Sequence, residues 1–390
     1  SRPKRLPCPA VQRKPHDADN NTDDVDNHVI EVCAPSRDKE LHDFDGAVDA
    51  YRQSILLSPY NEDYRLRLGL ALIEKGEFDE AVEHLDVLAI QNPGHARCAY
   101  YQSYAHMKQG NGEAASAAAD RYFKIQGPSS TSYTSIASTN LCAGQPGPAK
   151  AACEQALRVS PGNRQALSDY AIACEAVGEA DGPSLFDPSS LMASESVQAP
   201  EGFASIGDFN QALHDHIHNH PSLAFDRISL SCHQGATSTE LFIDPFGPTA
   251  PLQAIIRDAC QRFRSRLRQD VDHPYLAHLP LDVHELTLSG WATVLRNQGY
   301  QHGHIHANAW ISGVYYVSLP DVMHSDDSSD AGCIEFGRTP SYYPPGHQGG
   351  VETVRPHEGL LLLFPSYYLH RTIPFTSEQD RITIAFDFLG

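Results

Sequence analysis

Basic residues are scarce in this sequence relative to acidic ones. The 390 residues include 29 Lys and Arg against 49 Asp and Glu, which gives a formal net charge of −20 at pH 7. A surface with this excess of negative charge repels the phosphate backbone of nucleic acids and anionic membrane surfaces. The composition therefore argues against nucleic acid and against membranes as binding partners.

Paired cysteines and long apolar segments are also missing. The nine cysteines are scattered and form no C-x-x-C pair, and their odd number argues against a disulfide framework. No apolar run is long enough to span a bilayer, and the first residues, SRPKRLPCPA, lack the apolar core of a secretory signal. We therefore expect a cytoplasmic protein. The sequence does not begin with Met, which either processing or truncation would explain.

A 34-residue period runs through the first half of the chain. Two series of small residues follow this spacing, and a series of prolines stays close to it. The series are Ala47, Ala81, Ala115 and Ala149; Gly69, Ser103, Ala137 and Ala171; and Pro59, Pro93, Pro128 and Pro161. Small side chains at a fixed phase let the two helices of a helix-turn-helix unit approach closely, and proline ends the second helix. The pattern predicts an α-helical solenoid.

One segment, GEFDEAVEHLDVLAIQNP, and its phase-matched relatives resemble the tetratricopeptide repeat family. We expect repeats over residues 43–178, preceded by a largely disordered, charged segment at residues 1–42. The first repeat is expected to be incomplete, because the helix before DFDGAVDAYRQSILLSP would have to pass through Pro35. Full repeats are predicted at about 60–93, 94–127 and 128–161, with a capping helix at 163–178.

The resemblance to tetratricopeptide repeats implies a concave groove that holds a peptide or a protein partner. Tyr100 and Tyr104 share one helix face and, together with Tyr101, are candidates to line such a groove. Ordinary packing within the repeats is the alternative for all three tyrosines.

The periodicity changes in the second half of the chain. Residues 179–203 are rich in Pro, Ser, Gly and acidic residues, which predicts a linker, and helical spacing returns at 207–220 and 249–268. From Trp291 onward the chain has short β-type runs, WATVLRN, AWISGVYYVSLP, CIEFGR, GLLLLFP and RITIAFDF. These runs predict an antiparallel β-sandwich or jelly roll with flanking helices. We therefore expect a two-domain α+β protein, with the second domain at 204–390.

The denser of two histidine clusters is HDHIHNH at 214–220. It lies on a predicted helix, where the pairs His214/His218 and His216/His220 point to different faces. We interpret it as a solvated helix end and expect no metal there.

The second histidine cluster, HGHIHANAW, runs into a predicted strand, where residues two apart point to the same side. His304 and His306 can therefore face one metal together. Further along, FPSYYLHRTIPF places His370 at the end of an apolar strand. Arg381 and Thr383 also stand two apart, so a guanidinium and a hydroxyl can hold a carboxylate between them. The three histidines together with Arg381 and Thr383 indicate a metal site with a bound carboxylate more specifically than any one of these motifs does.

This half of the chain resembles the iron(II)- and 2-oxoglutarate-dependent oxygenases, in particular a bacterial group with the pattern HIHANAWISGVYYVSLP, GCIEFG, PHEGLLLLFPSYYLHRTIPF and RITIAFDF. The resemblance covers roughly residues 205–390. It implies a double-stranded β-helix that holds Fe(II) at its mouth, with 2-oxoglutarate chelating the metal. It matches His304 and His370 to the metal histidines, and Arg381 with Thr383 to the residues that hold the remote carboxylate of 2-oxoglutarate.

His306 stands where most of the oxygenase superfamily has an aspartate. A neutral imidazole in place of a carboxylate leaves the metal centre one charge more positive. Three interpretations stay open: a site of three histidines, a site of two histidines with water, or a carboxylate donated from elsewhere. Glu335 in CIEFGR is the nearest candidate for such a carboxylate.

Two further residues are candidates to contact cosubstrate or substrate. Asn308 continues the alternation of His304 and His306, and Tyr315 lies on the strand that follows. Hydrogen bonds within the sheet are the alternative role for both side chains.

Two functions from different classes fit these features. One is an oxygenase that hydroxylates a peptide or protein substrate recruited by the repeats. The other is a non-catalytic scaffold with a degenerate oxygenase fold, although a scaffold has no use for the carboxylate clamp of Arg381 and Thr383. A third hypothesis, a cupin-like three-histidine dioxygenase or isomerase, would bind iron but would not depend on 2-oxoglutarate.

Overall fold

Antiparallel helices joined by short turns form the first half of the protein. The computed structural model describes residues 44–178, 185–225, 232–267, 270–323, 329–344 and 350–390, so the predicted disordered segment at 1–42 lies outside the described residues. The helices of the repeat region are α1 (Phe44–Leu57), α2 (Glu62–Lys75), α3 (Phe78–Gln91), α4 (Ala96–Lys108), α5 (Gly112–Gln126), α6 (Ser130–Cys142), α7 (Pro146–Val159) and α8 (Arg164–Ala176). The predicted series of prolines follows α1, α3, α5 and α7.

The 34-residue period also governs where the first helix of each repeat begins and ends. The N-cap side chain of each such helix accepts a hydrogen bond from the backbone N–H three residues further on. These N-caps are Asn61, His95, Ser129 and Asn163. Within two residues of the helix end, a glycine adopts the left-handed conformation with φ between 70° and 76°. These glycines are Gly76, Gly110, Gly144 and Gly178.

Close packing between helices explains the series of small residues. A Cβ atom on Gly69 would lie 2.9 Å from the side chain of Leu85, so α2 and α3 approach closely at this position. In the other series, Ala81, Ala115 and Ala149 are fully buried at positions equivalent to one another. The predicted helical repeats are confirmed.

Glu74, near the end of α2, carries a half-buried carboxyl group. Burial raises its pKa from 4.5 to about 7, so the folded protein holds a proton that the unfolded chain has released. The free energy of unfolding should therefore fall as the pH rises through this range. We expect Glu74→Gln to flatten the dependence of Tm on pH between about pH 5 and about pH 8, and to raise Tm at the upper end. Parallel Tm profiles for the two proteins would contradict this prediction.

The second half of the protein contains two antiparallel sheets and two long helices. Its elements are α9 (Pro188–Leu191), β1 (Ala193–Ser196), α10 (Ile206–His218), β2 (Ala224–Phe225), β3 (Cys232–Thr237), α11 (Thr249–Arg266), β4 (Thr287–Gln301), β5 (Ala309–Ser318), β6 (Ile334–Phe336), β7 (Glu352–Val354), β8 (Leu360–Pro365), β9 (His370–Thr372) and β10 (Arg381–Leu389). The larger sheet has the order β1-β8-β5-β10-β4-β3-β2 and the smaller one β7-β6-β9. Across the described ranges, no helix combines the length and apolarity needed to cross a membrane.

The two sheets face each other, and the side chains of β10 alternate between two environments. Ile384 and Phe386 belong to the apolar core. Arg381, Thr383, Ala385 and Asp387 point to the opposite face, toward the smaller sheet. Between the sheets, the ring of Phe336 on β6 lies 4.9 Å from the ring of Phe364 on β8. The predicted jelly-roll architecture with flanking helices is confirmed, and its interior is where the candidate site lies.

The predicted linker at 179–203 needs correction in its second part. Residues 179–184 lie outside the described residues, but β1 pairs with β8 from Ala193↔Leu363 to Ser196↔Leu360 and forms an edge of the larger sheet. The hydroxyl of Tyr367 donates to the carbonyl of Leu185 over 2.6 Å. The composition of this segment is typical of a loop, but its backbone completes a sheet whose partner strand is distant in sequence.

Candidate metal centre

Main-chain hydrogen bonds position the histidines of the β4–β5 loop against the start of β9. The N–H of His304 donates to the carbonyl of His370 over 3.1 Å, and the N–H of His370 donates back to the carbonyl of His304 over 3.0 Å. The N–H of His306 donates to the carbonyl of Ser366 over 3.0 Å. These bonds fix the two segments in register and bring three imidazoles to one place.

The imidazoles of His304, His306 and His370 form one cluster. Each ring offers a nitrogen atom, and these atoms lie within 4.8 Å of one another. The ring centroids are 4.4 Å apart for His304 and His370, 5.1 Å for His306 and His370, and 5.2 Å for His304 and His306. In the described part of the chain, this is the one group of three or more His, Cys or acidic residues with convergent ligand atoms. The structure thus brings the three predicted metal residues together.

Each of the three rings has an oxygen acceptor beside its Nδ1 atom. Nδ1 of His304 lies 2.7 Å from the carbonyl of His302, and Nδ1 of His370 lies 2.9 Å from the carbonyl of Tyr368. Nδ1 of His306 lies 2.6 Å from Oδ1 of Asp387. Because a carbonyl can only accept, Nδ1 of His304 and of His370 must carry the proton, and the Asp387 carboxylate selects the same tautomer in His306. All three Nε2 lone pairs are thereby left for a metal.

Burial and charge set the protonation of the cluster. Burial and the neighbouring His306 lower the pKa of His304 to about 4. Burial, His304 and His306 lower the pKa of His370 well below its ordinary value. Burial also opposes the charged form of His306, but the charge and hydrogen bond of Asp387 outweigh it, so the pKa of His306 is raised. His304 and His370 are neutral at pH 7, which is the state that ligates metals.

Asp387 is a further candidate site residue, which the sequence pattern did not single out. Its Oδ1 atom accepts hydrogen bonds from Nδ1 of His306 and from the hydroxyl of Ser312, both over 2.6 Å. A carboxylate behind a metal-binding histidine fixes the ring orientation and raises the basicity of the ligand. The signal was present in RITIAFDF, because strand alternation puts Arg381, Thr383 and Asp387 on one face.

Glu335, the candidate carboxylate ligand, faces away from the cluster. In the smaller sheet Phe336 pairs with His370, and Glu335 pairs with Arg371, so Glu335 and His370 point to opposite faces. The carboxylate of Glu335 is engaged instead by Arg371 over 2.6 Å and by Arg338. Its pKa is lowered because the bonds and charges of these arginines outweigh the effect of burial. Glu335 is therefore an ion-pair partner of two arginines in the described structure.

Arg381 and Thr383 lie inside the barrel, as predicted. Arg381 is only 2% exposed, and its Nε donates to the carbonyl of Gly332 over 3.1 Å. Its guanidinium carbon lies 5.1 Å from the centre of the Tyr316 ring. Thr383 is also buried, and its neighbours across the sheet are Thr293 and Tyr316. A cation and several hydroxyl groups therefore share one buried region.

The structure places Tyr315 and Asn308 outside this region, which corrects both predictions. Tyr315 points to the helix-covered face of β5, where its hydroxyl donates to Oδ1 of Asn210 over 2.6 Å. Its neighbour Tyr316 is the tyrosine that faces the barrel interior. Asn308 is exposed in a turn, because the alternation of His304 and His306 ends before β5 begins.

The other histidine cluster lies at the end of α10. The rings of His214 and His218 are 4.4 Å apart, and those of His216 and His220 are 5.8 Å apart. The two pairs are separate, and within the described ranges neither joins a third convergent ligand. The absence of a metal at this helix end stays a prediction.

The three candidate groove tyrosines take different positions. Tyr101 is buried, and the ring of Tyr100 packs 5.2 Å from it and 5.3 Å from the ring of Tyr122. These two tyrosines are packing residues of the repeats. Tyr104 instead lies beside Lys108, whose Nζ is 5.1 Å from the centre of its ring.

Comparisons with known proteins give partial matches to solved structures in each half of the chain. Among solved structures, a "Crystal structure of MamA" is 25% identical and covers 35% of this chain and 80% of its own, with a TM-score of 0.33. A Pseudomonas putida prolyl-4-hydroxylase is 14% identical and covers 52% of this chain and 93% of its own, with a TM-score of 0.34. These scores are too low to support a further conclusion. No curated protein matches the chain.

Two family models match separate parts of the sequence. Residues 40–103 match the model described as "Tetratricopeptide repeat". Residues 289–387, which hold the three histidines, Arg381 and Asp387, match the model described as "Putative 2OG-Fe(II) oxygenase". These matches cover about a quarter of the chain or less each, and they agree with the two resemblances that the sequence shows.

Proposed function

We propose that this protein is an Fe(II)- and 2-oxoglutarate-dependent oxygenase that hydroxylates a peptide or protein segment recruited by its repeats. His304, His306 and His370 would hold the metal through their Nε2 atoms. The observation that carries the proposal is the convergence of these three nitrogen atoms in a barrel that also encloses the buried cation of Arg381. Nitrogen ligands of this kind suit iron, and the arrangement leaves positions for cosubstrate and oxygen.

The buried polar groups around Arg381 fit the remote carboxylate of 2-oxoglutarate. The hydroxyl group of Thr293 is buried and has no hydrogen-bond partner among the described residues, and the buried hydroxyl of Tyr316 lies beside Arg381. A buried polar group without a partner costs about 1–3 kcal/mol. A carboxylate next to Arg381 would accept from the guanidinium and from these hydroxyls, together with that of Thr383. The donor set therefore matches an anionic ligand with several acceptor atoms.

Fe(II) with 2-oxoglutarate supplies the oxidation of a C–H bond by O2, with conversion of 2-oxoglutarate to succinate and CO2. The residues of this chain orient the reactants and exclude water. Phe336 and Phe364 pack their rings 6.0 Å and 5.0 Å from the ring of His370. Asp387 holds His306 and places a negative charge behind the cluster, which partly offsets the missing carboxylate ligand.

The repeats lie beside the histidine loop, which supports a role in substrate recruitment. Nε of Arg164 on α8 donates to the carbonyl of Ala307 over 2.9 Å, and its guanidinium carbon lies 4.5 Å from the centre of the Trp310 ring. On α4, Lys108 is close enough to His302 to help lower the pKa of that histidine, after burial and His233. A segment held by these helices would reach a high local concentration at the metal.

Turnover measurements distinguish the three functional hypotheses. Iron-loaded protein should consume O2 and release succinate only when 2-oxoglutarate is present. The peptide substrate is not needed for this measurement, because uncoupled turnover proceeds without it. Oxygen uptake without 2-oxoglutarate would favour a three-histidine dioxygenase. Binding of iron without any turnover would favour the scaffold.

Arg381→Ala is expected to weaken 2-oxoglutarate binding by at least about tenfold, because charge-assisted hydrogen bonds contribute about 1.5–3 kcal/mol each. Metal binding should be nearly unchanged, since Arg381 is not part of the histidine cluster. Calorimetry on the metal-loaded variant measures both affinities. Arg371→Ala is the matched control, because Arg371 faces Glu335 and should leave 2-oxoglutarate affinity intact. An equal loss of 2-oxoglutarate affinity in the Arg381→Ala and Arg371→Ala variants would contradict the role of Arg381 in binding the cosubstrate carboxylate.

A further inference from the structure

The segment between β6 and β7 inserts two tyrosines between the helices of the repeats. Tyr342 and Tyr343 follow a turn closed by the N–H of Tyr343 donating to the carbonyl of Pro340 over 3.1 Å. Tyr343 is only 8% exposed. Its apolar cluster consists of repeat residues, Met107, Ala115, Leu141, Cys142, Ala149 and Ala173, with Tyr104, Ile172 and Tyr342 at its edge. A segment of the oxygenase domain therefore occupies the surface formed by α4, α6 and α8, which we call the tyrosine groove.

Tyr342 contacts the cationic end of the tyrosine groove. Nζ of Lys108 donates to the hydroxyl of Tyr342 over 3.3 Å and lies 4.6 Å from the centre of its ring. The thiol of Cys142 donates to the carbonyl of Tyr342 over 3.2 Å. Burial lowers the pKa of Lys108 to about 8. An aromatic ring with a hydroxyl group is thus the partner of a half-buried cation.

Tyr343 contacts the anionic end of the same groove. Its hydroxyl donates to Oδ1 of Asp169 over 3.5 Å. The carboxylate of Asp169 also accepts from Ser138 over 2.5 Å and from Gln165 over 3.1 Å. Asp169 is almost completely buried, and its hydrogen-bond partners are neutral. Tyr343 therefore adds a third donor to a carboxylate that burial has removed from water.

A phenol is the side chain that satisfies both ends of the groove. Its hydroxyl can accept from Lys108 and can donate to Asp169, whereas phenylalanine would fill the same apolar space and leave both charged groups with one bond fewer. Buried polar groups of a binding site discriminate strongly against ligands that cannot pair with them. The groove therefore selects two adjacent tyrosines.

We propose that the tyrosine groove is the docking site for a partner peptide with two adjacent tyrosines, and that Tyr342 and Tyr343 occupy it in cis as an autoinhibitory segment. This inference deepens the recruiting role of the repeats and rests on the proposed function for its catalytic meaning. A tethered segment competes at an effective concentration on the order of millimolar, so a partner must displace it. Docking and the metal centre would then be adjacent, since Arg164 on α8 contacts the histidine loop.

Binding of a labelled peptide to the full chain tests the proposal. The probe is RTPSYYP, the sequence of residues 338–344, measured by fluorescence anisotropy without metal or 2-oxoglutarate. Tyr342→Ala/Tyr343→Ala should bind it at least about tenfold more tightly than the wild type, because the competitor in cis is gone. The peptide RTPSFFP should bind this variant at least about tenfold more weakly than RTPSYYP. Adding Lys108→Met to the variant should also weaken RTPSYYP.

A second variant covers the case in which the alanine variant does not fold. Tyr342→Phe/Tyr343→Phe keeps both rings and their packing but removes the hydroxyl groups, and it should also bind RTPSYYP more tightly than the wild type. The proposal would be overturned if neither variant binds RTPSYYP more tightly than the wild type. Equal affinity for RTPSFFP and RTPSYYP would also overturn it. Because the assay needs no turnover, peptide binding by a catalytically inactive protein would contradict only the proposed oxygenase function.

Discussion

His370→Ala is expected to abolish iron binding. The cluster supplies three nitrogen ligands, and removal of one leaves only two imidazoles to hold the ion. Changes to residues that only support a ligand cost 10–100-fold in affinity, so loss of a ligand should cost more than about 100-fold. Metal content after anaerobic reconstitution, together with calorimetric titration, measures the effect. Circular dichroism checks that the variant is folded, because His370 packs against Phe336 and Phe364.

His216→Ala is the matched control for the loss of a histidine. His216 belongs to the cluster at the end of α10, so this variant should retain the iron content of the wild type. The double variant His304→Ala/His370→Ala removes two of the three proposed ligands. Equal iron content in the wild type and in this double variant would contradict the metal site outright.

The fold was accessible from the sequence because its two halves have strong and different periods. A 34-residue period appears in the small residues, and the structure shows the same period in helix caps such as Asn61 and Gly76. Alternating runs from Trp291 onward predicted strands that the structure places in β4, β5, β6, β8 and β10. Both signals are local, so no knowledge of distant contacts was needed to interpret them.

The site was only partly accessible, because part of it depends on which face a strand presents. His304 and His306 were found through their spacing, although they lie in a loop rather than on a strand. The sequence predicts a role for Tyr315, but Tyr316 faces the barrel interior, because pairing with β10 and β8 decides which face of β5 points inward. The predicted role of Asn308 assumed that the alternation of His304 and His306 continues, but a turn interrupts it.

The contact between the repeats and the oxygenase domain could not be predicted at all. Tyr342 and Lys108 are separated by 234 positions in the sequence. Tyr343 and Asp169 are separated by 174 positions. No periodic pattern connects a polar loop to the inner face of a solenoid, since such a contact depends on shape and on buried charge. The tyrosine groove is therefore visible only in the folded chain.

Asp387→Asn is expected to lower metal affinity by about 10–100-fold, which is the range for a carboxylate that supports a metal-binding histidine. The substitution keeps the shape of the side chain and removes its charge. Nδ1 of His306 could still donate to the amide oxygen, but the ring would lose the negative charge that raises the basicity of Nε2. We also expect a shift in the absorption bands of the Co(II)-substituted protein, because the orientation and basicity of one ligand change. A purely structural role for Asp387 would lower stability without shifting these bands.

Glu335→Gln is the control for removing a buried carboxylate close to the centre. Glu335 is 4% exposed and lies on the strand that pairs with β9, but it faces Arg371 and Arg338 rather than the histidines. This variant should lose stability because two arginines lose their partner, and it should keep its metal affinity and its Co(II) spectrum. Comparison of the two variants therefore distinguishes a carboxylate that supports the metal site from one that stabilises the sheet. Equal metal affinities in the Asp387→Asn and Glu335→Gln variants would show that the bond from His306 to Asp387 is not what tunes the site.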